Sequence, residues 1–369
     1  MSGSRDPKRL GEYTIVARIG DGGMATVYLG RARDEAGKER VAAIKVVRKE
    51  LESQEEFVQM FLDEAHILSL LHHPNLSRAL GYGTAGDQHF IAMELLLGRT
   101  VKDVWDAAVA QGSSLGFDLP AWICARVAHG LHHAHELGNE SGRPLNIIHR
   151  DVTPSNIFLT YGNEVKLFDF GLAKARGKRH ATKAGIVKGK VSYLSPEQIE
   201  MVPIDRRADI YALGITLWEA TTMRRLFQAR TDLEVVNAIK AGRVPDATKL
   251  TADYPEKLWP IVVRALQRDR ASRYATAKEL ADDLDRFVMA RRPGVGWMEG
   301  RLGGLLDTLF VGERKRQDAW LKKAPTVRLA DLPTLQAPAP MMPLLPSGLD
   351  VIPRPPRLPR ISKPPSRPT

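Results

Sequence analysis

Short apolar runs rich in β-branched and aromatic side chains occupy the first hundred residues, and this composition predicts β-strands. The runs cover residues 13–19, 25–30, 41–47 and 90–95. Polar or glycine turns separate them, including a hairpin at 34–39. Between the last two runs, apolar residues recur at helical spacing and predict one amphipathic helix over 54–71. We therefore expect a small antiparallel sheet with a single helix.

The period becomes mainly helical beyond about residue 100. Helices are predicted near residues 101–111, 120–138, 208–223, 231–241, 256–267 and 276–290. This change predicts two lobes, a small β lobe at about 13–96 and a larger helical lobe at about 97–290. The expected fold class is α+β.

The ends of the chain differ from this body. Residues 1–12 are predicted to be an N-terminal extension, and residues 291–323 a linker with a possible short helix. Residues 325–369 contain 13 prolines and no sustained period, so 324–369 is expected to be a basic, extended and disordered tail. Either this tail docks a partner or it is an unstructured end without one.

The positive charge is concentrated in two segments. The net charge is +11, but residues 174–190 hold seven basic side chains and residues 352–369 hold five, with no acidic side chain in either. Without those twelve, the chain has 42 basic and 43 acidic side chains. The body is therefore neutral, and we expect no nucleic-acid-binding face.

The single cysteine, Cys124, lies in an apolar helical stretch, which favours a buried structural thiol in a reducing compartment. The polar start of the chain has no apolar run of the kind that secretory signals contain. No window reaches the roughly 18 consecutive apolar residues that a membrane-spanning helix needs. We expect a cytoplasmic protein without a membrane span.

Candidate chemistry lies in the stretch Ile147-Ile148-His149-Arg150-Asp151-Val152-Thr153-Pro154-Ser155-Asn156, followed by Asp169-Phe170-Gly171. It supplies one carboxylate to accept a hydroxyl proton, and an amide and a second carboxylate to hold magnesium. In this order and at this spacing, the two segments resemble the catalytic loop and the metal-binding loop of the protein kinase family. The resemblance implies a bacterial, eukaryotic-like serine/threonine protein kinase that uses ATP and Mg²⁺.

By this resemblance, Asp151 is the catalytic carboxylate, and Asn156 and Asp169 are the metal ligands. Such oxygen ligands suit Mg²⁺ rather than zinc. The histidines of the chain are not expected to form a metal site, and His149 is expected to support the catalytic loop.

The resemblance also places a nucleotide site in the first lobe. The segment Gly20-Asp21-Gly22-Gly23-Met24-Ala25-Thr26-Val27 is similar to the family's glycine-rich loop, with Ala25 in place of the third glycine. Lys45 matches the lysine that contacts the α- and β-phosphates, and Glu64, rather than its neighbour Asp63, matches the glutamate that orients it. The residues expected around adenine are Ile19, Val27, Ala43 and Met93, with the hinge backbone at Glu94 and Leu96.

Regulation is implied for the activation segment, 169–197. Arg150 matches an arginine that usually pairs with a phosphorylated residue of this segment, and Thr182 is the expected autophosphorylation site, with Ser192 as the alternative. Glu197 and Arg273 match the buried ion pair that anchors the segment. Asp209 matches the helix aspartate that holds the catalytic loop.

Two residues depart from the family pattern. Thr153 stands where most serine/threonine kinases have lysine, and Lys190 stands where they have threonine. Either the two positions have exchanged roles at the catalytic aspartate, or Lys190 is a solvated loop residue and the enzyme is slow or inactive. Pro154 favours serine/threonine over tyrosine specificity.

These observations predict a serine/threonine kinase with protein substrates. The alternatives are a pseudokinase scaffold that binds nucleotide and partners without efficient transfer, and a small-molecule phosphotransferase. Retention of Lys45, Asp151, Asn156 and Asp169 argues against the first alternative, whereas Thr153 favours it. The polypeptide-docking form of the activation segment argues against the second.

Overall fold

The structure, a computed structural model, describes residues 8–21, 24–33, 37–139, 141–170, 191–292, 294 and 296–323. Within these residues, six antiparallel strands form the sheet of the first lobe, in the order β1-β2-β3-β4-β6-β5. The strands are β1 (Arg9–Leu10), β2 (Tyr13–Asp21), β3 (Ala25–Arg33), β4 (Glu39–Val47), β5 (Ala79–Ala85) and β6 (Gln88–Glu94). Strand β1 lies inside the predicted N-terminal extension.

Helices α1 (Lys49–Glu52) and α2 (Glu55–Leu70) follow β4. The apolar stripe of α2 buries Met60, Phe61, Ala65 and Leu68, at the helical spacing that the sequence predicted. Because Glu64 neighbours this stripe, its side chain can reach the sheet. The helix is therefore the element that brings a carboxylate to the lysine of β4.

A second sheet lies where the lobes join. Strand β7 (Gly98–Thr100) pairs with β8 (Ile157–Thr160), and β8 pairs with β9 (Val165–Leu167). Gly98 has a φ of +156°, and a Cβ at this position would lie 2.0 Å from the carbonyl oxygen of Leu159. Glycine is therefore required for the hinge to approach β8.

The second lobe is helical. Its helices are α3 (Val101–Ala110), α4 (Asp118–His135), α5 (Pro196–Ile199), α6 (Arg207–Thr222), α7 (Asp232–Ala241), α8 (Ala247–Leu250), α9 (Trp259–Ala265) and α10 (Ala277–Arg291). Helix α6 is buried from Ala208 to Thr222, which is typical of a helix surrounded by other elements. The main core packs around α4 and α6.

Two further helices occupy the predicted linker. They are α11 (Trp297–Leu309) and α12 (Glu313–Lys323). Helix α11 buries Met298, Leu302 and Leu306, spaced four residues apart, and packs against α3 and α4. This segment therefore contains more regular structure than the single short helix expected from the sequence.

None of the helices in the described part of the chain combines the length and apolar character needed to cross a membrane.

Candidate active site

Lys45 connects the two lobes of the site. It lies on β4, between Val27 on β3 and Ile91 on β6. Its Nζ donates to Glu64 Oε1 at 2.7 Å and to Asp169 Oδ1 at 2.6 Å. The neighbouring Asp63 instead accepts a hydrogen bond from Gln59 on the same helix at 2.9 Å. The structure thus places Glu64 at the lysine, as the sequence predicted.

Burial and charge oppose each other in this cluster. Burial disfavours the ammonium form of Lys45, but the carboxylates of Glu64 and Asp169 raise its pKa above the ordinary value. Burial also disfavours ionised Asp169, yet the charge and hydrogen bond of Lys45 lower the pKa of that carboxyl group. Burial raises the pKa of Glu64, and Lys45 opposes this change. The cluster therefore presents a charged ammonium group beside an ionised carboxylate.

Asp209 fixes the backbone of the catalytic loop from the second lobe. Its two carboxylate oxygens accept the backbone N–H groups of His149 and Arg150, each at 2.8 Å, and it contacts His135 Nε2 at 2.9 Å. Burial disfavours its charge, but the hydrogen bonds and neighbouring histidines lower the pKa of Asp209. Arg150 has a φ of +67°, an unfavourable conformation for arginine that these contacts maintain.

His149 joins the catalytic loop to the segment before Asp169. The ring is fully buried; its Nδ1 accepts the backbone N–H of Asp151 at 3.3 Å, and Nε2 donates to the carbonyl of Phe168 at 3.2 Å. Burial lowers the pKa of His149, so the neutral ring can make both contacts. This is the supporting position expected for His149.

The remaining catalytic-loop residues form a compact turn. Asn156 ends a 3₁₀ turn that begins at Pro154, and its Nδ2 donates to the backbone carbonyl of Asp151 at 2.8 Å. Asp151 and Thr153 are 8% and 5% exposed. The Asn156 side chain therefore ties the two ends of this turn together.

The residues predicted around adenine lie on neighbouring strands of the first lobe and in the hinge. Ala43 on β4 pairs with Met93 on β6, and Val27 pairs with Lys45. Ile19 and Gly20 are half-buried on β2, and the adjoining residues Asp21, Met24 and Ala25 are also described. Leu96 follows β6 in the hinge and is half-buried. Gly22 and Gly23 lie outside the described residues.

A buried ion pair anchors the end of the activation segment. Arg273 Nη1 and Nη2 donate to the two carboxylate oxygens of Glu197, at 2.7 and 2.8 Å. The side chains are 0% and 7% exposed. Residues 171–190, which include Thr182 and Lys190, lie outside the described residues.

Two positions near the site were missed by the sequence prediction. The buried Lys166 on β9 pairs with the hinge residue Glu94 at 3.2 Å. Glu219 on α6 accepts hydrogen bonds from Tyr193 and Arg225 at 2.7 and 2.9 Å. For Lys166, the presence of a lysine inside an apolar strand was a signal that the sequence offered. The contacts of Glu219 depend on long-range packing, for which the sequence offered no signal.

With this geometry established, comparison with known proteins decides the family. Residues 13–284 match the protein kinase domain family. The chain belongs to the protein kinase family. This confirms the predicted resemblance to bacterial, eukaryotic-like kinases and the two-lobed α+β fold.

The tyrosine-protein kinase MasK of Myxococcus xanthus is 39% identical over 304 residues, which cover 82% of this chain and 47% of that protein. The serine/threonine-protein kinase PrkC of Bacillus subtilis is 32% identical, over 74% of this chain and 40% of that protein. The chain thus spans about half the length of these relatives or less. The crystal structure of the Mycobacterium tuberculosis PknI kinase domain, 26% identical, covers 74% of this chain and 96% of its own, with a TM-score of 0.56.

ATP and Mg²⁺ are the substrate and cofactor of this family, and the donor atoms in the structure fit them. Asn156 uses Nδ2 on Asp151, so its amide oxygen points away from that contact. Asp169 uses Oδ1 on Lys45, and its side chain is 51% exposed. Hard oxygen donors of this kind suit Mg²⁺.

Proposed function

We propose that this kinase transfers the γ-phosphate of ATP to serine or threonine hydroxyl groups of proteins. The observation that carries the proposal is the contact of Lys45 with both Glu64 and Asp169, beside a catalytic loop held by Asp209. In this arrangement an ammonium group from one lobe and oxygen ligands from the other face the same cleft. Phosphoryl transfer depends mainly on such positioning and on charge stabilisation.

Each residue of the cleft has a proposed role. Asp151 orients the substrate hydroxyl and accepts its proton, and Lys45 holds the α- and β-phosphates. Asn156 and Asp169 would hold Mg²⁺, which when bound offsets negative charge on the phosphate oxygens. The backbone at Glu94 and Leu96 would bind adenine, against the apolar residues named above.

The direct test is incubation of the purified protein with labelled ATP and Mg²⁺, comparing the wild type with Asp151→Asn. We expect the wild type to incorporate labelled phosphate and the variant to incorporate it at least about 10²-fold more slowly. Nucleotide affinity should be similar in both proteins. Nucleotide binding without transfer in the wild type would instead support the pseudokinase alternative. Absence of Mg²⁺-dependent nucleotide binding would rule out both functions.

The proposed specificity for serine or threonine rests on Pro154 and on the similarity to the serine/threonine-protein kinase PrkC, whereas MasK is named a tyrosine kinase. Phosphoamino-acid analysis of the labelled protein distinguishes the two. Phosphotyrosine as the main product would contradict the proposed specificity.

We also propose that Thr182 is an autophosphorylation site whose phosphate pairs with Arg150. The Nε atom of Arg150 is buried and has no hydrogen-bond partner among the described residues. Thr182→Ala should lower both activity and phosphate content, with Ser192→Ala as the comparison. Unchanged activity and phosphate content in Thr182→Ala would refute the assignment.

The exchange between Thr153 and Lys190 remains a proposal of its own. If Lys190 supplies the positive charge that Thr153 lacks, Lys190→Ala should impair transfer far more than Lys188→Ala. Equal effects would identify Lys190 as one member of a solvated basic loop.

We propose residues 13–290 as the catalytic domain of a cytoplasmic kinase and residues 324–369 as a docking segment for a protein partner. Truncation after Lys323 should leave transfer to a short peptide unchanged and weaken transfer to a native protein substrate. Equal transfer to both substrates before and after truncation would leave the tail without a docking role.

A further inference from the structure

The last described helix, α12, contacts both lobes behind the hinge. Near its start, Glu313 forms an ion pair with Arg99 on β7. One turn later, Gln317 Nε2 donates to the carbonyl oxygen of Gly98 at 3.2 Å. Near its end, the carbonyl oxygen of Leu321 accepts from Arg31 Nη2 on β3 at 3.4 Å. The 11 residues of α12, about 16 Å long, therefore bridge the two lobes.

Both ends of α12 have favourable electrostatics. Glu313 lies in the first turn, where a negative charge interacts favourably with the helix dipole. Arg31 donates to a carbonyl group of the last turn of α12, where the helix as described supplies no N–H partner. Arg99 also lies over the ring of Phe310, with its guanidinium carbon 5.1 Å from the ring centre. The charges at both ends of α12 are therefore favourable for the helix dipole.

Helix α11 attaches this segment to the second lobe. A Cβ at Gly303 would lie 2.7 Å from Asn163 Oδ1 in the turn between β8 and β9, so α11 approaches this turn closely. The next residue, Gly304, has no atom within 4 Å of the corresponding position. Residues 297–323, called the strap below, therefore have a defined docking surface on the second lobe.

The strap contacts strands that lie next to the nucleotide site. Strand β3, which carries Arg31, pairs with β4, which carries Lys45. Strand β7, which carries Arg99, pairs with β8, which begins directly after Asn156. One helix thus contacts the strand that pairs with the lysine-bearing β4, and the strand that pairs with β8, which follows a metal ligand. Moving one lobe relative to the other would break one of these sets of contacts.

We propose that the strap positions the hinge for nucleotide binding, so that docking of α12 and occupancy of the nucleotide site favour each other. The proposal rests on the proposed function, because it takes the cleft between the lobes as the ATP site. Glu313, Arg99 and Gln317 are positioning residues that act through the hinge backbone. By thermodynamic linkage, nucleotide binding must strengthen docking of α12 by the same factor.

A charge exchange tests the coupling. Calorimetry with a non-hydrolysable ATP analogue and Mg²⁺ would compare the wild type, Glu313→Arg, Arg99→Glu and the double variant. We expect roughly fivefold weaker binding in each single variant, the lower end of typical coupling, and recovery in the double variant. Arg316→Ala is the matched control, because Arg316 also pairs with Glu313 but its side chain is 71% exposed. In steady-state assays, KM for ATP should rise while kcat changes little.

A second pair of variants tests docking without changing charge. Gly303→Val should crowd the Asn163 side chain, loosen the docking of α11 and weaken nucleotide binding, whereas Gly304→Val should not. Thermal unfolding would verify that each variant is folded. Amide hydrogen exchange in α12 should slow when the analogue binds to the wild type.

Two results would overturn the proposed coupling. One is equal nucleotide affinity in the wild type and the folded single variants. The other is amide hydrogen exchange in α12 that does not change when nucleotide binds. A wild-type protein that binds the analogue but transfers no phosphate would instead refute the proposed kinase reaction. In that case the coupling between α12 docking and the nucleotide site would still be measurable from the affinity for the analogue. Failure of the wild type to bind the analogue would refute both.

Discussion

Replacing Arg273 should destabilise the second lobe more than replacing any exposed arginine. Its side chain is fully buried and bonds both carboxylate oxygens of Glu197. It also donates to three backbone carbonyls, those of Gln267, Arg268 and Arg207, at 2.7, 3.0 and 3.1 Å. Arg273→Met keeps the volume but leaves a buried carboxylate and three carbonyls without these donors.

The expected cost is about 3–5 kcal/mol of unfolding free energy, the usual penalty for breaking a buried ion pair. With about 2–4 °C of midpoint change per kcal/mol for a large domain, Tm should fall on the order of 10 °C. Arg268→Ala is a close control, because Arg268 pairs with Glu200 at 3.3 Å between the same two regions but is 59% exposed. Its expected cost is about 0.2–1 kcal/mol.

Calorimetric and denaturant-induced unfolding of both variants would measure the difference, and transfer assays below Tm would show whether the activation segment is still positioned. Glu197→Leu combined with Arg273→Met should recover part of the lost stability, because neither residue of this pair then leaves an unpaired buried charge. A Tm loss for Arg273→Met no larger than that for Arg268→Ala would refute the reasoning.

Two further predictions concern the catalytic loop and pH. Asp209→Asn removes the charge that accepts two loop N–H groups, so it should lower the free energy of unfolding by about 1.5–3 kcal/mol. It should also reduce phosphoryl transfer more than nucleotide affinity. Equal losses of transfer and affinity would mean that Asp209 does not act through the catalytic loop. Burial, together with the neighbouring His133 and other cationic groups, lowers the pKa of His73 from 6.5 to about 4. Its neutral form therefore contributes stability above pH 6.5 that is lost as pH falls towards 4. Denaturant titrations at pH 7 and 5 would measure the free energy of unfolding. Between these pH values it should fall less for His73→Asn than for the wild type or the exposed His72→Asn. An identical fall in all three proteins would contradict the prediction.

The sequence by itself determined most of the elements around the site and was sufficient to predict its chemistry. The order and spacing of Asp151, Asn156 and Asp169 are properties of the chain, and they were sufficient to indicate phosphoryl transfer. The period of α2 placed Glu64 beside its buried face. The long helices α4 and α6 were also predicted, over 120–138 and 208–223, although α6 is buried on all sides.

Short strands lack such repetition. Strand β7 has three residues and β9 has three, too few to show a period of two. Strand β5 contains Gly81 and Gly83, which have low β propensity, and becomes a strand by pairing with β6. Tertiary hydrogen bonding therefore decided these elements.

Contacts between distant residues were decided only by the tertiary structure. Nothing near His149 in the chain indicates that Asp209, 60 positions later, holds its backbone; the family resemblance supplied that expectation. The contact of α12 with Gly98 and Arg31 spans more than 200 residues and left no local pattern. Local periodicity encodes which face of an element is apolar, whereas the partner of each face is set by how all elements pack together.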